Sequence, residues 1–187
     1  MLVKFCGLRR IEDIEYSNKL KPDFIGFVFA KSKRQVTIEE ALLLKSKLDN
    51  NILAVGVFKD DDIELIRNVV KNNIIDLIQL HGQEDDEYIK RIKEFTSLPI
   101  IKAYRDSEYA TYSLFDNINP GFGEVFDWNT IKTKKPFFLA GGINIENIDA
   151  AMKLNPYCID VSSGIETDGY KDFNKMAELI KRCRDYE

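Results

Sequence analysis

Two short segments rich in glycine and serine, Ala140-Gly141-Gly142 and Asp160-Val161-Ser162-Ser163-Gly164, carry the first chemical signal in the chain. Each follows a β-branched or aromatic run, and residues of this kind let backbone N–H groups converge at helix N-termini, gripping a phosphate without a cationic side chain. Either segment alone could be a tight turn or a cap. As neighbours they point to one phosphate site at Gly141, Gly142, Ser162 and Ser163. What the chain lacks narrows the chemistry further. His81 is the single histidine, so metal sites built on paired imidazoles are excluded. A Ser-His-Asp triad would have to use His81, and no G-x-S-x-G elbow supports one. Cys6, Cys158 and Cys183 make an odd set with no CxxC spacing, which indicates neither a disulfide framework nor a zinc knuckle. Gly121-Phe122-Gly123 lacks a third glycine in register, so it is no dinucleotide fingerprint.

The elements that must position these residues are legible as a repeat of strand then helix. LVKFC, DFIGFVF, ILAVGVF, IDLIQL, PIIKAY, YSLFD, FFLAG and CIDVSS are eight candidate strands, several nearly continuous in apolar residues, as parallel strands covered on both faces are. Between them Thr37-x-x-Glu40 matches a capping box, and Asp60 and Asn144 stand as N-caps. Phe173, Met176, Ala177 and Ile180 recur at helical spacing. The pattern predicts an α/β fold, a (βα)8 barrel forming a single domain over residues 1–187. About eight residues, Arg105 to Tyr112, separate the fifth and sixth strands, too few for a covering helix of ~10 residues. The fifth helix is therefore expected to be shortened or missing.

Composition agrees with such a domain. The 187 residues are 44% hydrophobic and 31% charged, and a chain of this length buries roughly 70% of its unfolded surface. With 27 Lys+Arg against 31 Asp+Glu, interspersed rather than gathered in a basic stripe, nucleic acid is not an expected partner. The start MLVKFCGL lacks the pattern of a secretion signal, and no apolar run approaches the ~18 residues of a membrane span. The reading is a cytoplasmic protein with reduced thiols and no membrane partner.

In a barrel the active site lies at the carboxyl ends of the strands. There the chain carries Cys6-Gly7, Lys31 to Arg34, Phe58-Lys59, Gln79-Leu80-His81-Gly82, Asp127, and the two segments described above. Lys4-Phe5-Cys6-Gly7, Gly26-Phe27-Val28-Phe29 with Ser32-Lys33-Arg34, Gln79-Leu80-His81-Gly82, Phe126-Asp127-Trp128, Ala140-Gly141-Gly142 and Asp160 to Glu166, in this order over almost the whole chain, resemble the phosphoribosylanthranilate isomerase family. The resemblance implies an Amadori rearrangement of N-(5-phosphoribosyl)anthranilate to a 1-deoxyribulose phosphate in the tryptophan pathway. It implies Cys6 as general base, Asp127 as general acid, Arg34 as the ligand of the anthranilate carboxylate, and Asp160 near the sugar hydroxyls. Its partner is a small phosphosugar, with no metal or organic cofactor, and the chain is expected to be a monomer, with a homodimer as the alternative. One departure from the family pattern stands out: Pro120-Gly121-Phe122-Gly123 replaces a Gly-Gly-Thr-Gly-like run.

The chemistry itself asks for two proton-handling groups, because the ring oxygen gains a proton as the furanose opens and C2 loses one as the Schiff base becomes an enolamine. An ordinary aspartic acid, with a pKa of about 3.9, is ionised at pH 7, so Asp127 needs desolvation, which Phe126 and Trp128 could supply. A thiol of pKa about 8.5 is only about 3% thiolate at pH 7, so Cys6 would gain from a nearby cation. Lys4, one layer deeper on the same strand face, is expected instead to neutralise a buried carboxylate. His81, where a strand opens toward the ligand, has either a hydrogen-bonded structural role or a direct contact and stands outside the catalytic set, and Cys158 and Cys183 are read as core residues. Two other functions compete: another phosphosugar barrel, needing strand-end Lys and Glu or histidine metal ligands, and a phosphate-binding module without catalysis.

Overall fold

Eight parallel strands, β1 (Leu2–Cys6), β2 (Phe24–Val28), β3 (Leu53–Phe58), β4 (Leu77–Leu80), β5 (Ile100–Ala103), β6 (Tyr112–Phe115), β7 (Phe137–Leu139) and β8 (Cys158–Val161), close into a barrel. The computed structural model describes residues 1–117, 128 and 131–186. Closure is made by β8 pairing with β1, so that Lys4 stands beside Phe24 on one side and Asp160 on the other. All eight sequence-predicted strands are present, β1 with the expected bounds and the other seven trimmed by one or two residues at one or both ends.

Alternation along each strand divides the core in two. Outward residues such as Val3, Phe5, Ile25, Phe27, Ile78 and Ile159 pack against α1 (Ile11–Leu20), α2 (Ile38–Lys45), α3 (Ile63–Lys71), α4 (Asp86–Lys93), α5 (Ile148–Met152) and α6 (Phe173–Arg184). Inward residues Phe24, Val55, Leu77, Ile101, Leu114, Phe138 and Cys158 fill the lumen. Each large side chain so buried contributes about 1.5–3 kcal/mol relative to exposure. Two residues further along β1, β4 and β8 the inward positions turn polar: Lys4 and Cys6, Gln79, and Asp160. The same period-2 geometry that plugs the lumen below therefore aims chemistry-bearing side chains at its upper end.

Helix starts follow local capping, with two corrections. The box at α2 forms as expected, Thr37 accepting from the Glu40 N–H and Glu40 accepting from the Thr37 N–H. The cap of α3 is Asp62, which accepts from Glu64 N, and not Asp60. Asp60 adopts φ 54° and instead accepts from Gln83 N at 2.6 Å, joining two connections at the top of the barrel. The cap position of α5 is Asn147. Asn144 accepts from Glu146 N and Asn147 N, stabilising the turn before the helix rather than the helix itself. On α6 the buried face is Met176, Leu179, Ile180 and Cys183, so Leu179 and Cys183 take the places expected of Phe173 and Ala177.

The fifth helix is missing, as its connection length predicts. In place of a helix, the short β5–β6 connection packs Ala110 and Tyr109 on the core and is held by hydrogen bonds. Asp106 accepts from Ser113 of β6 and from Thr133, and Lys135 donates to the carbonyls of Ser107 and Ala110. After β8 comes a 3-10 turn, Ser163–Ile165, and then a two-stranded hairpin, β9 (Glu166–Thr167) and β10 (Tyr170–Lys171), that the strand pattern does not announce.

Candidate active site

A cavity of about 290 Å³ opens at the carboxyl ends of the strands. Cys6, Arg34, Asp160, Gly141, Gly142, Ser162 and Ser163 all line it. Seven of the eight site residues expected from sequence are thereby brought to one place. The eighth, Asp127, lies outside the described residues, as do Phe126 and the Pro120 to Gly123 segment.

The floor is a charged pair raised from the lumen. Lys4 Nζ donates to Asp160 Oδ2 at 2.7 Å, with both side chains almost wholly buried. Lys4 thus neutralises a buried carboxylate, as expected, and it does a second thing that was not. Burial works against its ammonium, but Asp160 and the Cys6 sulfur outweigh it and hold Lys4 above its ordinary pKa. The same proximity acts on Cys6. Burial, and after it the Asp160 charge, push the thiol up, Lys4 and more weakly Lys171 pull toward the thiolate, and the balance leaves Cys6 above its ordinary value. Sequence spacing argues against Lys4 as a helper of the thiol because it lies one layer deeper. A lysine stem spans that layer, and Gly26 on the adjacent strand leaves the room: a Cβ there would stand 2.7 Å from Cys6 Sγ and 3.3 Å from Lys4 Nζ. The second oxygen of Asp160, Oδ1, is buried without a hydrogen-bond partner.

The glycine and serine segments meet as their spacing suggests. Among the described residues, the amides of Gly141 and Gly142 donate to no protein acceptor. The β7 and β8 connections touch at Gly164, where a Cβ would sit 2.0 Å from the Ile143 carbonyl oxygen. Only glycine permits that approach. Ser162 Oγ donates to the carbonyl of Cys6 at 3.0 Å, tying the Ser162-Ser163 loop to the strand end that carries the thiol.

Arg34 reaches the cavity held from behind. Its Nε and Nη2 donate to the two oxygens of Glu166 at 2.7 and 2.8 Å, a bidentate pair that raises the guanidinium pKa. On the far wall His81 is strung between two partners: Gln79 Nε2 donates to its Nδ1 at 2.8 Å, and its Nε2 faces Asp116 Oδ2 at 3.2 Å. His81 thus has the hydrogen-bonded partners of a structural role and at the same time lines the cavity. Asp116, Glu166 and Lys171 were missed from sequence. A signal for the last two existed: Asp168-Gly169, with φ of 52° and 79°, is the Asp-Gly of a tight hairpin between Glu166-Thr167 and Tyr170-Lys171.

Among the described residues no cluster of three or more His, Cys, Asp or Glu could hold a metal ion, and no helix is long and apolar enough to cross a membrane. The cavity lining offers the Gly141 and Gly142 amides, Arg34, Lys31, Lys59 and one thiol, with the buried Lys4 and Lys171 behind it, which suits a small anionic ligand.

Comparison with known proteins points to one family. The family model described as N-(5'phosphoribosyl)anthranilate (PRA) isomerase matches residues 3–182. The chain is similar to the N-(5'-phosphoribosyl)anthranilate isomerase of Endomicrobium trichonymphae, 47% identical over 195 residues, covering 97% of this chain and 98% of that protein. Among solved structures it resembles the phosphoribosyl anthranilate isomerase of Thermus thermophilus, with TM-score 0.89, 32% identity and 98% of each chain covered. It also resembles a phosphoribosyl anthranilate isomerase in complex with reduced 1-(o-carboxyphenylamino)-1-deoxyribulose 5-phosphate, with TM-score 0.81, 31% identity and 100% of each chain covered.

Proposed function

The chain belongs to the N-(5'-phosphoribosyl)anthranilate isomerase family, and on that premise we propose that it isomerises N-(5'-phosphoribosyl)anthranilate by acid–base catalysis between Asp127 and Cys6. Enzymatic isomerisation in tryptophan biosynthesis is the activity of the family. What carries it is the gathering of Cys6, Arg34, Asp160 and the Gly141, Gly142, Ser162 and Ser163 loops around a single cavity.

In this reading the phosphate rests on the free amides of Gly141 and Gly142 and on the Ser162-Ser163 loop. Arg34 turns its unspent edge, Nη1 with the second Nη2 hydrogen, to the anthranilate carboxylate. Asp160 Oδ1, buried and without a partner, accepts from a ribose hydroxyl. Asp127 gives a proton to the ring oxygen as the C1–O4 bond breaks and the Schiff base forms. The Cys6 thiolate then removes the C2 proton, leaving an enolamine that tautomerises to the aminoketose. Lys4 and Lys171 stabilise the thiolate against the desolvation that opposes it. Protons in and out balance, and no electrons are gained or lost.

Turnover of N-(5'-phosphoribosyl)anthranilate by the purified chain tests the reading as a whole. Cys6→Ala and Asp127→Asn should each lower kcat by roughly 10²- to 10⁴-fold with the fold intact. Near-normal turnover in either variant removes that residue from its role. Arg34→Ala should chiefly raise KM, and an unchanged KM removes it from the carboxylate site.

A further inference from the structure

Behind the cavity, the β9–β10 hairpin carries Glu166, to which the reaction scheme assigns nothing, and Lys171, to which it assigns only a charge acting on the Cys6 thiolate. Lys171 is buried, and its Nζ donates to the Ser162 carbonyl at 3.0 Å and to Glu166 Oε1 at 2.8 Å. Glu166 Oε1 also accepts from Arg34 Nε, and Oε2 from Arg34 Nη2. An unbroken chain of charge-assisted hydrogen bonds therefore runs from the phosphate-type loop through Lys171 and Glu166 to Arg34. Burial works against the Glu166 charge, yet Arg34 and Lys171 hold its pKa down at about 2. Burial also pulls the Lys171 ammonium below its ordinary value, against the attraction of Glu166 beside it.

The local backbone makes room for this chain. The stem of Arg34 crosses Gly7 so closely that a Cβ there would meet Arg34 Cδ at 2.4 Å. Arg34 has many rotamers in a loop, and ordering them costs about 1.5–2 kcal/mol of side-chain entropy. A carboxylate already seated on the Nε–Nη2 edge imposes one orientation before any ligand arrives.

We propose that Glu166 and Lys171 are positioning residues: the hairpin sets Arg34 at a fixed offset from the phosphate loop, so that the site measures the distance between the two anionic ends of its ligand. The inference rests on the carboxylate-binding role of Arg34 proposed above. It makes the hairpin the gauge for ligands bearing a phosphate at one end and an aromatic carboxylate at the other.

Charge alone argues the opposite outcome, which makes the test sharp. Neutralising Glu166 adds net positive charge beside Arg34, and a purely electrostatic role would tighten binding of an anion. Positioning requires Glu166→Gln to weaken it, because an amide presents one acceptor and one donor to an edge made only of donors. Expected is a rise in KM of about tenfold or more with a much smaller change in kcat. Inhibition by inorganic phosphate should stay within about twofold in Glu166→Gln, since Lys171 still holds Ser162, but should weaken clearly in Lys171→Met, which releases both ends. In the Arg34→Ala background Glu166→Gln should add no further loss.

Tighter or unchanged binding in Glu166→Gln, or losses that multiply in the Arg34→Ala, Glu166→Gln double variant, overturn the proposal. If Lys171→Met does not fold, Lys171→Gln is the second variant for the phosphate measurement, and phosphate inhibition equal to that of the parent overturns the link to the loop. Titration with 2-aminobenzoate and inorganic phosphate as separate probes reads the clamp without turnover. A chain that fails to isomerise N-(5'-phosphoribosyl)anthranilate therefore sinks the functional reading while the clamp is still measured.

Discussion

Two buried lysine–carboxylate pairs sit on opposite sides of the barrel wall, and they differ in what their oxygens have left to do. Lys102 points outward from β5 under the β4–α4 connection, where Nζ donates to Glu84 Oε2 at 2.9 Å and to the Gly82 carbonyl at 2.7 Å. Glu84 Oε2 also takes Gly82 N, and its Oε1 takes Asp60 N. Every oxygen there is spent. Lys4 points inward from β1 to Asp160 Oδ2, and Asp160 Oδ1 has no partner although it is buried against the cavity. A saturated pair fixes a connection in place, whereas a pair with one acceptor unspent stores a desolvation cost that a ligand hydroxyl can relieve.

The largest effect expected from this contrast is on stability. Lys102→Met leaves Glu84 as an uncompensated buried charge and should cost about 3–5 kcal/mol, a fall in Tm of roughly 10 °C or more for a domain of this size. The folded fraction should keep its KM, and a variant with parental Tm would erase the distinction. Next comes Asp160→Asn, which should lower kcat/KM about tenfold or more. It should destabilise less than Lys102→Met, because the cavity admits water to the altered group; a greater loss of stability than of activity would mean the lumen pair is structural too. Smaller still is an acid-limb effect from Glu166. Its carboxyl prefers the charged form more in the folded chain than in the unfolded one, so its contribution is complete above the ordinary carboxylate range and is lost as pH falls toward 2. Chemical unfolding from pH 5 to 2 should show a shallower decline in Glu166→Gln than in the parent, and parallel curves would contradict the ion pair with Arg34.

Strand alternation and connection length made the barrel and its missing helix readable, since both are properties of short stretches of chain. The lumen layer carrying Cys6, Asp160 and Gln79 follows from the same alternation once the strands are known. Asp60 failed as a helix cap because its partner, the Gln83 amide, lies on another connection that no local pattern announces. Lys4 was misjudged for a related reason: strand periodicity fixes where a Cβ points but not how far a flexible stem carries its ammonium. Glu166 and Lys171 escaped attention because their partners, Arg34 and Ser162, come from other parts of the chain. The Asp168-Gly169 turn was the one local clue to the hairpin that joins them.

Of the three thiols in the molecule, Cys158 and Cys183 are fully enclosed and Cys6 alone reaches a surface. The native chain therefore carries a built-in handle for stoichiometric alkylation: one reagent molecule per chain, attached at the mouth of the barrel. Because burial opposes ionisation of that thiol, labelling should be slow near neutrality and accelerate in alkali. A phosphosugar in residence would shield it. Counting incorporated label thus becomes a direct measure of how many molecules in a preparation have an open, competent pocket, independent of any assay of product.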